Sequence, residues 1–379
     1  MYNFVEWHVI LLNDRARVAA YQRAIDATVK PGDVVLDLGA GTGVMGLLAC
    51  RAGAARVYAI EGGGMVEIAR KIARANGFAD RIVCVHGNST QVELPERVDV
   101  AIADQTGPLG IGGGLFAVFN DARRRFLKPQ GTTIPSRVDI SIALAEYPEG
   151  RAPIEFWDEP RLGFDMSAMH DVARNVGYEI HFTPAQLLSA PQCVLSFDLA
   201  RSIAEPSNAT ATLVARRPGT LHGLFGFFAA ELAPGVSISN SPLGPDTIKR
   251  RAWFMPIERA VTLEGGDSAR VMVHMTPVEE MVTWKVEVTG RDGATKEKST
   301  HSTFKGTLIV KEELRKMRPD SVPRLSAPGE IERAVLELCD GARSVGEIAH
   351  ELGLRFPQIF RSPEEADAAV SRIVGSKTR

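Results

Sequence analysis

The sequence predicts an α/β fold: a parallel sheet flanked by helices, then a β-rich second domain, then a small helical module. Two observations support this prediction. The runs Val34–Leu38 and Val98–Ala103 are almost entirely apolar and alternate with helical patterns, as the strands of a sheet buried on both faces do. Beyond residue 137, β-rich segments follow one another without intervening helices, which is typical of antiparallel structure.

The chain opens with a predicted helix over residues 2–29. Apolar residues recur there at helical spacing between charged ones, and Pro31-Gly32 ends the run before the first strand.

A glycine-rich turn follows the first strand. It reads D-x-G-x-G-x-G and comprises Asp37, Gly39, Gly41 and Gly43. The glycines allow a tight turn and a close approach to a ligand, and the first N–H groups of the next helix favour an anionic or carboxylate-bearing group. About twenty residues later Glu61 ends the second strand, where an acid can accept the hydroxyls of a ribose.

The spacing of this turn separates two cofactor classes. A dinucleotide site has G-x-G-x-x-G, whereas here an acid precedes the first glycine by two residues. We interpret the turn, with Glu61 and the adjacent Gly62, as a site for S-adenosylmethionine. A glycine-rich turn in another doubly wound protein is the alternative.

The remaining elements of the first domain follow in order. We predict a helix over residues 65–76, a strand over 81–86, a helix over 115–127 and a turn at 128–131. Ligands of open α/β sheets lie outside the carboxyl ends of the strands, so residues 104–107, after the fourth strand, are expected to face the reacting group. A flexible glycine-rich loop follows at residues 108–114.

The second half of the chain divides further. Predicted strands lie at residues 139–145, 194–199, 209–215, 223–231 and 269–275. A charged, proline-containing linker at 311–329 precedes three short helices, of which the second begins with a capping box of Ser344 and Glu347 and the third begins at Ser362. The predicted domains are therefore residues 1–136 and 137–310, and after the linker residues 330–379.

Composition limits the possible functions. The 44 basic and 46 acidic residues give a net charge of −2, which argues against a nucleic-acid-binding surface, and the basic run Lys249-Arg250-Arg251 is expected to be a solvated edge. The four cysteines are far apart and form no metal-binding motif, as expected for free thiols of a cytosolic protein. No apolar run is long enough to cross a membrane. We expect a soluble, cytoplasmic protein.

The opening segment resembles the first helix of the protein arginine methyltransferases at His8, Leu12, Asp14, Arg17, Ala20 and Tyr21. Later segments keep the family's order, and the resemblance spans residues 2–310. It implies a Rossmann-like class I methyltransferase sheet and an antiparallel β-barrel-like domain with a dimerisation arm at residues 150–180. It also implies a homodimer, with Arg17 holding the methionine carboxylate of the cofactor and Asn88 and Ser89 lying beside its adenine.

The same resemblance shows where this chain departs from the family. The family binds the acceptor guanidinium with two glutamates on one loop; here the first matches Asp104 and the second matches Gly113. Burying a cation with a partner removed costs about 3–5 kcal/mol, so a guanidinium would be poorly held. The threonine-histidine-tryptophan loop of the family's acceptor pocket matches Thr247-Ile248-Lys249, and Lys249 would repel a cationic acceptor.

From these residues we predict an S-adenosylmethionine-dependent methyltransferase acting on a non-standard acceptor, a peptide or a natural-product intermediate. Asp104, which also belongs to the predicted cofactor site, would orient or deprotonate the acceptor; the alternative is an acid that caps the next turn. The predicted acceptor pocket consists of His8, Gln105, Thr106, Thr247 and Lys249. A genuine protein arginine methyltransferase with a replacement carboxylate and a non-catalytic cofactor-binding scaffold remain alternatives.

The last segment carries a second resemblance. Residues 334–367 resemble the helical half of the peptide-binding protein of pyrroloquinoline quinone biosynthesis and related precursor-peptide recognition domains. This implies binding of a precursor peptide or another partner, and a simple packing module is the alternative.

Overall fold

The computed structural model describes residues 4–199, 205–244 and 247–378. The chain divides between Leu308 and Ile309 into two compact units. The larger unit contains a parallel sheet with its helices and two antiparallel sheets, and the smaller one is helical.

Two helices precede the first strand where one was predicted. They are α1 (Phe4–Asn13) and α2 (Arg15–Thr28). Asp14 separates them, because its side chain accepts a hydrogen bond from the backbone N–H of Arg17 and so caps α2. The prediction of one continuous helix was wrong, and its first residues, including Tyr2, lie outside the described part of the chain.

The parallel sheet has the strand order β3-β2-β1-β4-β5. Its strands are β1 (Val34–Leu38), β2 (Arg56–Glu61), β3 (Ile82–His86), β4 (Val98–Ala103) and β5 (Leu127–Ile134). The helices α3 (Val44–Ala52), α4 (Met65–Ala75) and α5 (Leu115–Arg125) connect them. The strand order reverses between β1 and β4, so their carboxyl ends open a crevice. The turn predicted at residues 128–131 is instead part of β5, which pairs with β4 through a shift of register.

Two antiparallel sheets follow. One has the order β7-β12-β10-β6-β8, with β11 paired to β10, and the other has the order β15-β14-β13-β9. Their strands are β6 (Arg137–Ala145), β7 (Tyr178–Ile180), β8 (Gln192–Asp198), β9 (Ser207–Val214), β10 (Gly219–Ala233), β11 (Val236–Ser239), β12 (Ala252–Leu263), β13 (Ser268–Thr276), β14 (Met281–Thr289) and β15 (Thr295–Ser302). The fully buried Trp284 links them, since its indole N–H donates to the carbonyl of Pro256.

Short helical pieces lie between the strands. They are the 3-10 turns Pro148–Arg151, Ser167–Met169 and Pro184–Gln186 and the helices α6 (Ala152–Glu155), α7 (His170–Ala173) and α8 (Thr303–Gly306). The segment between β6 and β7 exposes large apolar side chains, namely Phe156, Leu162, Phe164 and Met166.

The smaller unit contains α9 (Lys311–Lys316), α10 (Ala327–Leu338), α11 (Val345–Arg355) and α12 (Pro363–Lys377). The last three enclose their own core around Val335, Leu352 and Val370, which are fully buried. The predicted capping box of Ser344 and Glu347 is present, and the three predicted helices are confirmed. Part of the predicted linker is helical, because α9 lies within it and α10 begins at its end.

Candidate functional site

The site lies at the carboxyl ends of β1 and β4. Gly39, Gly41 and Gly43 have φ values of 66°, 54° and 77°, a left-handed conformation that glycine adopts without strain. A Cβ at Gly39 would overlap the side-chain amide of Gln105, and one at Gly41 would lie 2.7 Å from the imidazole Cε1 of His8. The structure therefore brings the predicted residues His8 and Gln105 against the glycine-rich turn.

Asp37 connects this turn to α3. Its carboxylate is buried and accepts a hydrogen bond of 3.0 Å from the backbone N–H of Gly46 in α3. Burial raises the pKa of Asp37 to about 7, although the Gly46 hydrogen bond opposes the shift. Asp37 is thus placed to fix the turn to the following helix.

Glu61 lies at the edge of the turn. Its two carboxylate oxygens accept hydrogen bonds of 2.9 Å from the backbone N–H groups of Gly41 and Gly63. The carboxylate is partly exposed, and the neighbouring Gly62 is exposed. An acid in this position can accept the hydroxyls of a ribose seated on the turn.

Asn88 and Ser89 follow β3. The exposed Asn88 side chain accepts hydrogen bonds from the backbone N–H and the hydroxyl of Thr90. The buried Ser89 is held by Arg125, whose guanidinium donates to its carbonyl. The local loop is therefore ordered beside the end of the sheet.

A buried ionic cluster lies at the end of β4. The guanidinium of Arg17, on α2, donates through Nη1 to Oδ2 of Asp104 and through Nη2 to the carbonyl of Leu11, at 2.6 Å. Arg250 lies on the other side: its Nη1 donates to the carbonyl and hydroxyl of Thr106, and its Nη2 is 3.9 Å from Oδ1 of Asp104. Within the described residues, Oδ1 of Asp104 and Nε of Arg17 are buried without a hydrogen-bond partner.

The charges of the cluster balance. Burial lowers the pKa of both Arg17 and Arg250, and nearby Asp14 opposes that shift for both. Burial also raises the pKa of Tyr21, whose hydroxyl donates to the carbonyl of Ala103, to about 12. Arg17 and Arg250, whose side chains are 4% and 14% exposed, thus lie near two carboxylates, those of Asp104 and Asp14.

The cation beside Asp104 is Arg250, not the predicted Lys249. The side chain of Lys249 is exposed, and only its backbone N–H reaches the cluster, donating to Asp14 at 2.7 Å. Arg250 occupies the position beside Asp104, so the expectation that residues 249–251 form a solvated edge was wrong for this residue. Sequence reasoning missed this residue because a tight turn places it: the backbone N–H of Arg250 donates to the carbonyl of Ile248 at 2.8 Å, so no regular strand or helix period indicates where its side chain lies.

The rest of the predicted acceptor pocket divides into two groups. Thr106 is buried and accepts from Arg250. The hydroxyl of Thr247 donates to the carbonyls of Ser241 and Gly244, so this side chain stabilises its own turn.

A second carboxylate that sequence reasoning missed lies at the glycine-rich loop. Oε1 of Glu280 accepts a hydrogen bond of 2.8 Å from the backbone N–H of Gly114, the residue after the position that matches the family's second glutamate. Glu280 lies between β13 and β14 and has a φ of 56°, uncommon for a residue with a side chain. The two partners are 166 residues apart, so no local pattern could indicate the contact.

In the described part of the chain, no group of three histidine, cysteine or acidic residues could hold a metal ion, and the four cysteines are free. None of the described helices combines the length and the apolar character that a bilayer crossing requires.

A parallel sheet of this order, with a glycine-rich turn and an acid at the ends of adjacent strands, defines the class I S-adenosylmethionine-dependent methyltransferases. Two family models cover most of the larger unit. The ribosomal protein L11 methyltransferase family (PrmA) matches residues 21–136, and the arginine methyltransferase oligomerization subdomain matches residues 138–286.

Individual relatives agree with these matches. The chain is 31% identical over 273 residues to an Arginine N(omega)-methyltransferase of Streptomyces achromogenes subsp. streptozoticus, covering 70% of this chain and 75% of that protein. It is also 31% identical over 256 residues to protein arginine N-methyltransferase 1 of Chlamydomonas reinhardtii, covering 65% and 74%. The chain belongs to the protein arginine methyltransferase family.

Two solved structures share its fold with a TM-score of 0.69. One is the PRMT1 enzyme-prozyme heterotetrameric complex with AdoHcy from Trypanosoma brucei, 19% identical, covering 78% of this chain and 97% of that one. The other is protein arginine methyltransferase 10 of Arabidopsis thaliana, 21% identical, covering 79% and 100%. The predicted fold class, the methyltransferase activity and the S-adenosylmethionine cofactor are confirmed.

Glu61→Ala should weaken binding of S-adenosylhomocysteine, the demethylated product, by about 1.5–3 kcal/mol for each lost charge-assisted hydrogen bond. Isothermal calorimetry measures the affinity. Glu67→Ala is the matched control, since Glu67 forms an exposed pair with Arg70 on α4. Equal affinities for wild type and Glu61→Ala would contradict the assignment.

Asp37→Asn should change how stability depends on pH. The folded-state pKa of Asp37 is raised to about 7, so its contribution is fully present below the unfolded-state pKa and is lost as the pH rises through about 7. Urea unfolding at pH 5 and pH 8 should therefore show that the asparagine variant gains stability relative to wild type at the higher pH. A difference between the two proteins that does not change with pH would contradict this account.

Proposed function

We propose that this methyltransferase acts on an acceptor group other than a guanidinium, carried by a peptide or a natural-product intermediate. The observation that supports the proposal is the pairing of the Asp104 carboxylate. Its carboxylate matches the family's first glutamate, yet it is already paired with Arg17 and lies 3.9 Å from Arg250.

Electrostatics disfavours a guanidinium here. An entering guanidinium would lie close to the guanidinium of Arg250, and Asp104 is already paired with Arg17. At Gly113, where the family has its second glutamate, a Cβ would lie 3.0 Å from the carbonyl oxygen of Gln105. Because burying an incompletely paired cation costs about 3–5 kcal/mol, a neutral or anionic acceptor fits this site better.

The residues around the turn fit the cofactor. The glycines carry no Cβ, so other groups can approach the turn closely, as Gln105 and His8 do. Glu61 lies at the edge of the turn, and Arg17 is a buried cation with an unpaired Nε suited to a carboxylate. Asn88 and Ser89 are assigned to the adenine side, and Gly43 and Gly62 to the turn. When bound, S-adenosylmethionine supplies an electrophilic methyl group.

The protein's task is then to hold the acceptor in line and to remove its proton. We assign this task to Asp104, at the carboxyl end of β4, through Oδ2, the oxygen that is released when the cofactor's carboxylate replaces Asp104 on Arg17. His8, Gln105 and Thr106 would close the site around the acceptor, since His8 and Gln105 already lie on the turn.

The purified enzyme should leave free L-arginine and glycine-arginine-rich peptides unmethylated, because Asp104 is engaged and Arg250 repels their charge. Mass spectrometry of the products measures this, with an established arginine methyltransferase assayed in parallel. Arg250→Gln should raise the affinity for such peptides, whereas Arg251→Gln, at a half-exposed neighbouring position, should not. Wild-type turnover of these peptides at about 1 per second, an ordinary enzymatic rate, would overturn the proposal.

A second candidate function is methylation of an arginine guanidinium with Glu280 as the replacement carboxylate. Two observations favour it. The Glu280 carboxylate accepts from Gly114, next to the position of the missing glutamate, and the Streptomyces relative is named an Arginine N(omega)-methyltransferase.

This candidate predicts that Glu280→Gln lowers arginine methylation at least about tenfold, the effect of losing 1.4 kcal/mol of transition-state binding. Glu279→Gln is the matched control, because Glu279 is the adjacent exposed glutamate. Arginine methylation that survives Glu280→Gln unchanged would exclude Glu280 as the replacement.

We also propose two interactions. The exposed apolar side chains of the segment at residues 150–180, among them Leu162 at 95% and Phe164 at 65% exposure, support a homodimer formed through this arm.

In the smaller unit, a groove of about 380 Å³ between α11 and α12, lined by Gly346, Gly353 and Phe360 among others, supports binding of a precursor peptide or another partner.

A further inference from the structure

We infer that Arg250 is a positioning residue that becomes the main partner of the Asp104 carboxylate when the cofactor's methionine carboxylate occupies Arg17. This rests on the role proposed above for Arg17.

The two oxygens of the Asp104 carboxylate have different surroundings. Oδ2 accepts from Arg17, while Oδ1 is buried and lacks a hydrogen-bond partner within the described residues. Nη2 of Arg250 lies 3.9 Å from Oδ1, within ion-pair range and about 1 Å beyond a normal N–H···O distance. A small rotation of either side chain would therefore form this bond.

Arg17 already has three hydrogen-bond partners. Its backbone N–H is bonded to Asp14, its Nη2 to Leu11 and its Nη1 to Asp104. A cofactor carboxylate at the same guanidinium would place two negative charges on one cation in a buried site. Like charges at such a site repel each other, so Asp104 needs a second cation.

Hydrogen bonds to Thr106 keep Arg250 in place. Its Nη1 donates to both the carbonyl and the hydroxyl of Thr106, which lies two residues after Asp104 on the same loop. Arg250 is therefore anchored to the segment that carries Asp104, independently of Arg17. The charged and titratable groups around it are those of Arg17, Asp14, Tyr21, Asp104 and Glu179.

The consequence is a coupling between the two halves of the site. With Arg250 present, the cofactor carboxylate and Asp104 each have a cation. Without Arg250, the cofactor carboxylate and Asp104 compete for Arg17. The affinity should then fall only for ligands that carry the carboxylate.

Two ligands separate these cases. S-adenosylhomocysteine has the carboxylate, and 5′-methylthioadenosine has the same adenosine thioether without the amino-acid part. Calorimetry on the full chain should show that Arg250→Gln weakens S-adenosylhomocysteine by about tenfold to a hundredfold, the loss of a charge-assisted hydrogen bond, and leaves 5′-methylthioadenosine unchanged. Adding Asp104→Asn to Arg250→Gln should restore the affinity, because the competing charge is gone. Arg251→Gln is the control and should bind both ligands as wild type does.

The inference would be overturned if Arg250→Gln lowered the affinity for both ligands equally or for neither. It would also be overturned if the double variant did not recover affinity for S-adenosylhomocysteine. Arg17→Gln tests the premise separately. Unchanged S-adenosylhomocysteine affinity in that variant would overturn the role of Arg17 itself.

Discussion

The Asp104 carboxylate, held between the guanidinium groups of Arg17 and Arg250, is the interaction on which the site depends. It joins α2, the end of the parallel sheet and the segment that leads into β12. Asp14 strengthens this junction, since it caps α2 and accepts from the backbone of Lys249. A buried carboxylate left unpaired costs several kcal/mol, so these elements must pack together for the charges to be satisfied.

The same charges divide the enzyme's chemistry into two parts. The use of S-adenosylmethionine follows from the family, and we assign the cofactor to the glycine-rich turn and to Glu61, which accepts a hydrogen bond from Gly41. The proposal for the acceptor follows from the charged groups of the site. The Asp104 carboxylate is paired with Arg17, and Gly113 contributes no charge, which is why we propose an acceptor other than a guanidinium. The Glu280 carboxylate, which accepts a hydrogen bond from Gly114 of this loop, would favour a cation.

Much of the fold could be predicted from local sequence. Strands β1 and β4 have the predicted bounds because a strand buried on both faces has a sharp apolar boundary, and α11 begins at a capping box that is itself a local signal. The break at Asp14 could not be read in the same way, because helical periodicity continues across it. Arg250 and Glu280 acquire their roles through contacts 144 and 166 residues away in the chain, to Thr106 and Gly114, which no local pattern records.

A crystal structure of the complex with S-adenosylhomocysteine tests the central claim most directly. The account predicts that the Arg17 guanidinium contacts the ligand carboxylate and that Nη2 of Arg250 lies about 3 Å from Oδ1 of Asp104, a normal hydrogen-bond distance. A complex in which Arg250 stays beyond hydrogen-bond distance, with Asp104 bonded to Arg17 alone, would contradict it.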